Sequence, residues 1–227
     1  MGQIIDKDNS FRIAIINGLK ECGVKYTNRK LYRDVNYGLI IKPLNLDYNF
    51  REPIRYFFKG YPYHVGIIRS TPERDIIYSF CPDLREPHRG TLIKDIILED
   101  ISAWCGGEIF WFTEGTKGID NPLEVVSPEV PSVYQKIEAR LMDLMKVRAN
   151  LITVEEFNRR HGTSLKMLYN LLSNNCTDAA LSVLIGQTRC FQIESIVPII
   201  KKISGMKMVM DMVPDYGKMW LQDFKYA

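Results

Sequence analysis

A thiol attacks a carbonyl as its thiolate, and two surroundings favour that form: the positive end of a helix dipole and a nearby histidine. Of the five cysteines (Cys22, Cys81, Cys105, Cys176 and Cys190), only Cys176 follows a pair of asparagines, Asn174 and Asn175, and opens an alanine-rich stretch running to about Gly186. That stretch carries Ala179, Ala180, Val183 and Leu184 and reads as a helix whose small residues let it press closely on a sheet. Asn174 or Asn175 is a good N-cap, so the thiol falls in the first turn, among amides that can also stabilise an oxyanion. The plain alternative is a small buried residue packing a helix start. Cys22 closes a helix, Cys81 stands before Pro82, and Cys105 and Cys190 fall in turns, so these four read as packing residues.

A base for that thiol comes from three histidines. His161, in Arg159-Arg160-His161-Gly162, is explained by the dipole at a helix C-terminus, and His88 lies in a proline-flanked polar loop. His64 stands in the apolar strand Tyr63-His64-Val65-Gly66-Ile67-Ile68, where an imidazole needs a partner or a purpose. A side chain on the following strand would orient its ring. With an even loop over Thr71–Arg74, residues 77, 79 and 81 share the face of His64, which favours Ser79; an odd loop favours Tyr78. Asp75, Asp83 and a backbone carbonyl are the other candidates.

The elements that must position these groups follow a simple order. Phe11, Ile15 and Leu19 after Ser10, with Gly23 behind, predict a capped helix over residues 11 to 22. Short β-rich runs come next: Tyr37–Lys42, Ile54–Phe58, Tyr63–Ile68, Asp75–Cys81, Leu92–Leu98 and Glu108–Phe112, separated by turn residues such as Gly60, Pro72 and Gly106-Gly107. After a loop over Thr113–Ser127 the period becomes helical. Val133, Ile137, Leu141 and Leu144 share one face, Thr153 and Glu156 suggest a capping box for a helix closed by Gly162, and Thr163 or Ser164 would cap another through Leu172. A further helix is expected over Ser195–Lys202, before a methionine-rich tail that includes Met206, Met208, Met210 and Met212. The aromatic group Tyr56, Phe57, Phe58, Tyr61 and Tyr63 reads as strand core, with a substrate groove as the rival.

Composition limits the functions open to such a chain. Its 227 residues are 46% hydrophobic and 25% charged, which suits one folded domain. A net charge of +3, spread along the chain, falls short of the basic stripe that nucleic acid requires. No apolar run approaches the length of a membrane span, and residues 1 to 10 lack the apolar core of a secretory signal. Synthesis in the cytoplasm is expected. Sparse cysteines without a CxxC pair argue against both a disulfide framework and a zinc site, so no metal or other cofactor is implied.

The run His64-Val65-Gly66-Ile67-Ile68, a short turn and Asp75–Phe80 resemble the histidine hairpin of the NlpC/P60 peptidases. The segment Tyr169-Asn170-Leu171-Leu172-Ser173-Asn174-Asn175-Cys176-Thr177-Asp178 is similar to the nucleophile helix of their circularly permuted branch, in which, as here, the histidine precedes the cysteine. The resemblance implies an α+β, papain-like fold: a helical part over 1–36, a sheet with the catalytic histidine over 37–112 and a helical part with the nucleophile over 128–227. It also implies a Cys176–His64 cysteine peptidase or amidase acting on the peptide stem of peptidoglycan. Size and a missing leader resemble antibacterial type VI secretion effectors of Vibrio-like bacteria. That likeness implies action in the periplasm of target cells, with a secretion-machinery component and an immunity protein as partners. The other readings are a cysteine deamidase or acyltransferase acting on host protein or lipid, and a non-catalytic papain-like binding module.

Overall fold

A computed structural model describes residues 9–31, 33–43, 62–80, 96–113, 132–168 and 175–195. The first element, α1 (Ser10–Glu21), is capped by Asn9, whose side chain accepts from the amides of Phe11 and Arg12; Ser10 is already inside the helix. The sheet contains β1 (Tyr26–Thr27), β2 (Asn36–Pro43), β3 (Tyr63–Ser70), β4 (Asp75–Ser79), β5 (Ile97–Asp100) and β6 (Glu108–Phe112). Their order is β1-β6-β2-β3-β4-β5, and every pairing is antiparallel. A 3₁₀ turn, Ile101–Trp104, joins β5 towards β6. Helices α2 (Val133–Arg148), α3 (Val154–His161) and α4 (Cys176–Leu184) follow. The described architecture is therefore α+β.

Both faces of the sheet are covered, and strand alternation divides their residues cleanly. Tyr63, Val65 and Ile67 of β3 join α1, α2 and α4 in the large core, with Ile15, Leu19, Leu141, Ala180 and Val183 all buried. Ile68 of β3 points the other way, into a small core of Ile40, Ile77, Trp104 and Trp111. Gly66 lies on that second face: a Cβ there would meet the Trp104 ring at 3.1 Å and Ile77 at 3.0 Å, so only glycine leaves room for the indole.

Several boundaries differ from the sequence expectation for identifiable reasons. The helix expected from 163 does not form over 163–167. Gly162 ends α3 in the left-handed region (φ 66°), and the Asn158 side chain then satisfies the Leu165 amide and carbonyl, an alternative to helical pairing. Thr153 caps α3 by accepting from the Glu156 amide. Strand β4 stops at Ser79, and β5 runs from Ile97 to Asp100; residues 92–95 of the expected run Leu92–Leu98 lie outside the described residues. Residues 191–195 are helical, ahead of the expected start at Ser195. The expected strand Ile54–Phe58 and the methionine-rich tail lie outside the described residues.

Candidate active site

Helix α4 starts where the sequence places it, and its start is tightly determined. Asn175 accepts from the amides of Thr177 (2.8 Å) and Asp178 (3.4 Å), while the Asp178 carboxylate accepts from the Asn175 amide at 2.9 Å. This is a reciprocal capping box, made by an asparagine and an aspartate. The cap takes up two of the first-turn amides expected to serve an oxyanion. Asp178 is almost wholly buried, and burial raises its carboxyl to about 6, with Glu194 adding to the rise and the Asn175 hydrogen bond opposing it.

Cys176 occupies the first position of α4 and is 7% exposed. It packs on the helix-covered face of the sheet, sharing a cavity of about 10 Å³ with Ile67, Tyr78, Phe80, Ile96 and Leu144. That volume holds one water at most. Cys190, expected in a turn, is buried beside the same helix start, and desolvation pushes its thiol up to about 12, making it a poor nucleophile. Cys22 is half-buried against Gln187 and Arg189, and Cys105 is exposed.

His64 lies on the other face. In β3 it shares the parity of Gly66 and Ile68, opposite to that of Val65 and Ile67, and its ring stacks on Trp104 with centroids 4.9 Å apart and 23° between planes. Burial lowers its pKa to about 4, helped by Lys42 and opposed by Glu99, so the imidazole is neutral at pH 7. Trp104 is itself held by its indole N–H donating to Glu99 at 2.9 Å, and Lys42 donates to the Ala103 carbonyl at 2.7 Å. His64 and the helix that carries Cys176 thus lie on opposite faces of β3: α4 packs against its odd-numbered side chains, and His64 is even.

The candidate orienting residues separate in the same way. Four residues, 71–74, join β3 to β4, so Ser79 does share the face of His64, opposite Gly66. Its hydroxyl donates to Glu99 at 2.6 Å, the carboxylate that also holds Trp104. Tyr78 faces the helices beside Cys176, and burial raises its phenol. Asp75 pairs with Lys30 at 3.4 Å, and Asp83 lies outside the described residues. His161 contacts Asp143 at 3.0 Å and packs on Phe157, which agrees with a structural role, whereas His88 is outside the described residues. Tyr63 is core, at 2% exposure.

Two residues of consequence were not singled out from sequence. Glu99 follows two exposed apolar residues in β5 and gathers Ser79 and Trp104; its place directly after the apolar run Ile96-Ile97-Leu98 was the available signal. Gln192 accepts from the Tyr63 amide at 2.7 Å and donates to the Tyr63 carbonyl at 2.9 Å and to the Thr177 hydroxyl at 3.3 Å. It gave no local signal, because its partners are remote in sequence. Through it the residues next to His64 and next to Cys176 meet at one end of β3.

Among the described residues no group of three His, Cys, Asp or Glu side chains could hold a metal ion, and no described helix is long and apolar enough to cross a membrane. Comparison with family models, with curated proteins and with solved structures finds no match to this chain.

Proposed function

We propose that the chain is a papain-like cysteine hydrolase that cleaves amide bonds in the peptide stem of peptidoglycan, with Cys176 as nucleophile and His64 as its base. The observation that carries this reading is the placement of a thiol in the first turn of a capped helix packed on β3, the strand that also carries His64. Gln192 joins their neighbours, Thr177 and Tyr63, and the imidazole is neutral at pH 7. The permuted NlpC/P60 resemblance supports the substrate. The likeness to secretion effectors supports delivery to the periplasm of a target cell, with an immunity protein as the partner that restrains the enzyme.

In the reaction His64 accepts the Cys176 proton and the thiolate adds to the amide carbon, giving a tetrahedral oxyanion. Collapse expels the amine with the proton held by the imidazole, leaving a thioester on Cys176; water, deprotonated by the same base, hydrolyses it. His64 stacks on Trp104, so this step requires the imidazole to leave that ring and reach the face on which the thiol lies.

A second reading, a non-catalytic papain-like binding module, is favoured by that placement of His64 and by the closed surroundings of the thiol. Digestion of peptidoglycan fragments, read by mass spectrometry, separates the two. The hydrolase releases cleaved stems, and Cys176→Ala and His64→Ala each abolish the release with the fold retained. Intact stems with the unaltered chain, and Cys176 reacting with iodoacetamide no faster than an ordinary thiol of pKa about 8.5, would establish the binding module instead.

A further inference from the structure

We infer that Gln192 is a positioning residue for the Cys176 site, holding the first turn of α4 in place on β3; this rests on the hydrolase reading. Tyr63 is the first residue of β3, and its partner on β2 is Pro43, which has no amide to offer. The carboxamide of Gln192 meets both the amide and the carbonyl of Tyr63, as a neighbouring strand would. The same nitrogen reaches the Thr177 hydroxyl, one residue beyond the nucleophile.

Gln192 is 5% exposed, and its own backbone is held from several sides. The Ser195 hydroxyl donates to its carbonyl at 2.7 Å, Arg189 and Glu194 form an ion pair across the turn, and the ring of Phe191 sits directly over Gly18 of α1, where no Cβ would fit. A buried amide with its oxygen and nitrogen both engaged, on a backbone that cannot drift, is a rigid spacer between strand and helix. It sets where the Cys176 sulfur lies relative to β3, and a displacement of about 1 Å in a nucleophile costs on the order of 10²-fold in rate.

The test compares the full chain with Gln192→Glu and Gln192→Leu. Glutamate keeps the acceptor for the Tyr63 amide and removes the donor to Tyr63 and Thr177; leucine removes both. Steady-state hydrolysis of peptidoglycan fragments and the pH profile of iodoacetamide alkylation at Cys176 are measured alongside thermal unfolding. Positioning predicts a kcat lower by about 10²-fold with KM within about twofold, and an alkylation midpoint displaced from that of the unaltered chain. Where the leucine variant does not fold, the glutamate variant decides. Variants that unfold at lower temperature yet keep kcat and the alkylation profile give Gln192 a purely structural role and overturn the inference. An unaltered chain that neither cleaves stems nor alkylates rapidly overturns the hydrolase reading beneath it, a different pattern from the loss confined to Gln192 variants.

Discussion

The two faces of the sheet hold the two halves of the proposed chemistry in unlike surroundings. On the helix-covered face Cys176 sits in a large apolar core at the start of α4, whose first turn also holds the buried Asp178 carboxyl, with its proton affinity raised. On the other face His64 lies against a core of five residues, stacked on Trp104, with its proton affinity lowered. Burial disfavours charge on both sides, and because one group is an acid and the other a base the shifts run in opposite directions. The comparison teaches that strand parity, more than residue type, decides which of the two cores a side chain of β3 faces.

The largest effect expected is on hydrolysis. Cys176→Ala should reduce stem cleavage to background, by about 10⁴-fold or more, and His64→Ala should do the same if the two act as one unit. Equal loss in both variants breaks the separation of the faces, since the imidazole must then reach the thiol during turnover. Retention of activity in His64→Ala alone confines the chemistry to the helix-covered face.

Acid stability sharpens the contrast further. Unfolded, His64 takes its proton near 6.5, and folded only near 4, so between those values the unfolded chain binds more protons. Stability therefore falls as pH is lowered through that window, by up to about 3 kcal/mol. Urea unfolding from pH 7 to pH 4 should show this slope, and His64→Gln should flatten it; an unchanged slope would place the ring in water.

Asp178 has the opposite sign. Its folded carboxyl binds a proton near 6 against 3.8 when unfolded, so its contribution is present at low pH and lost as pH rises from about 4 to 6. Asp178→Asn keeps an acceptor for the Asn175 amide without the charge, and should stabilise the protein at pH 7 by about 1 to 2 kcal/mol. A lower melting temperature in this variant would show that the charge at the helix start outweighs its burial.

The smallest effect expected is at Gly66. The added methyl of Gly66→Ala presses on Trp104 and Ile77 and should cost about 1 kcal/mol. It should also disturb the near-ultraviolet circular dichroism of Trp104. A spectrum and stability equal to those of the unaltered chain would mean that the His64 face is loosely packed.

Local features were legible because the chain announces them locally. Strand Glu108–Phe112 is found as read, and α4 opens at Cys176 behind an asparagine cap, which needs only neighbouring residues to form. Gly162 ends α3 because a left-handed residue there is cheapest as glycine. The face of His64 was not legible for an equally physical reason. An exposed strand shows one apolar and one polar side, but Val65, Ile67 and Ile68 are all buried, so both sides of β3 read as interior. Asn158, Glu99 and Gln192 act through partners brought close only by folding.

The sequence by itself determined the order of sheet and helices, the capped start of α4 and the alternation within each strand, since these depend on backbone preferences over a few residues. Tertiary structure alone decided which side of β3 the helices cover, and with it that His64 turns to Trp104 while Cys176 turns to Ile67. That choice depends on how long-range apolar surfaces divide between two cores, which no local pattern encodes when both sides of a strand are buried.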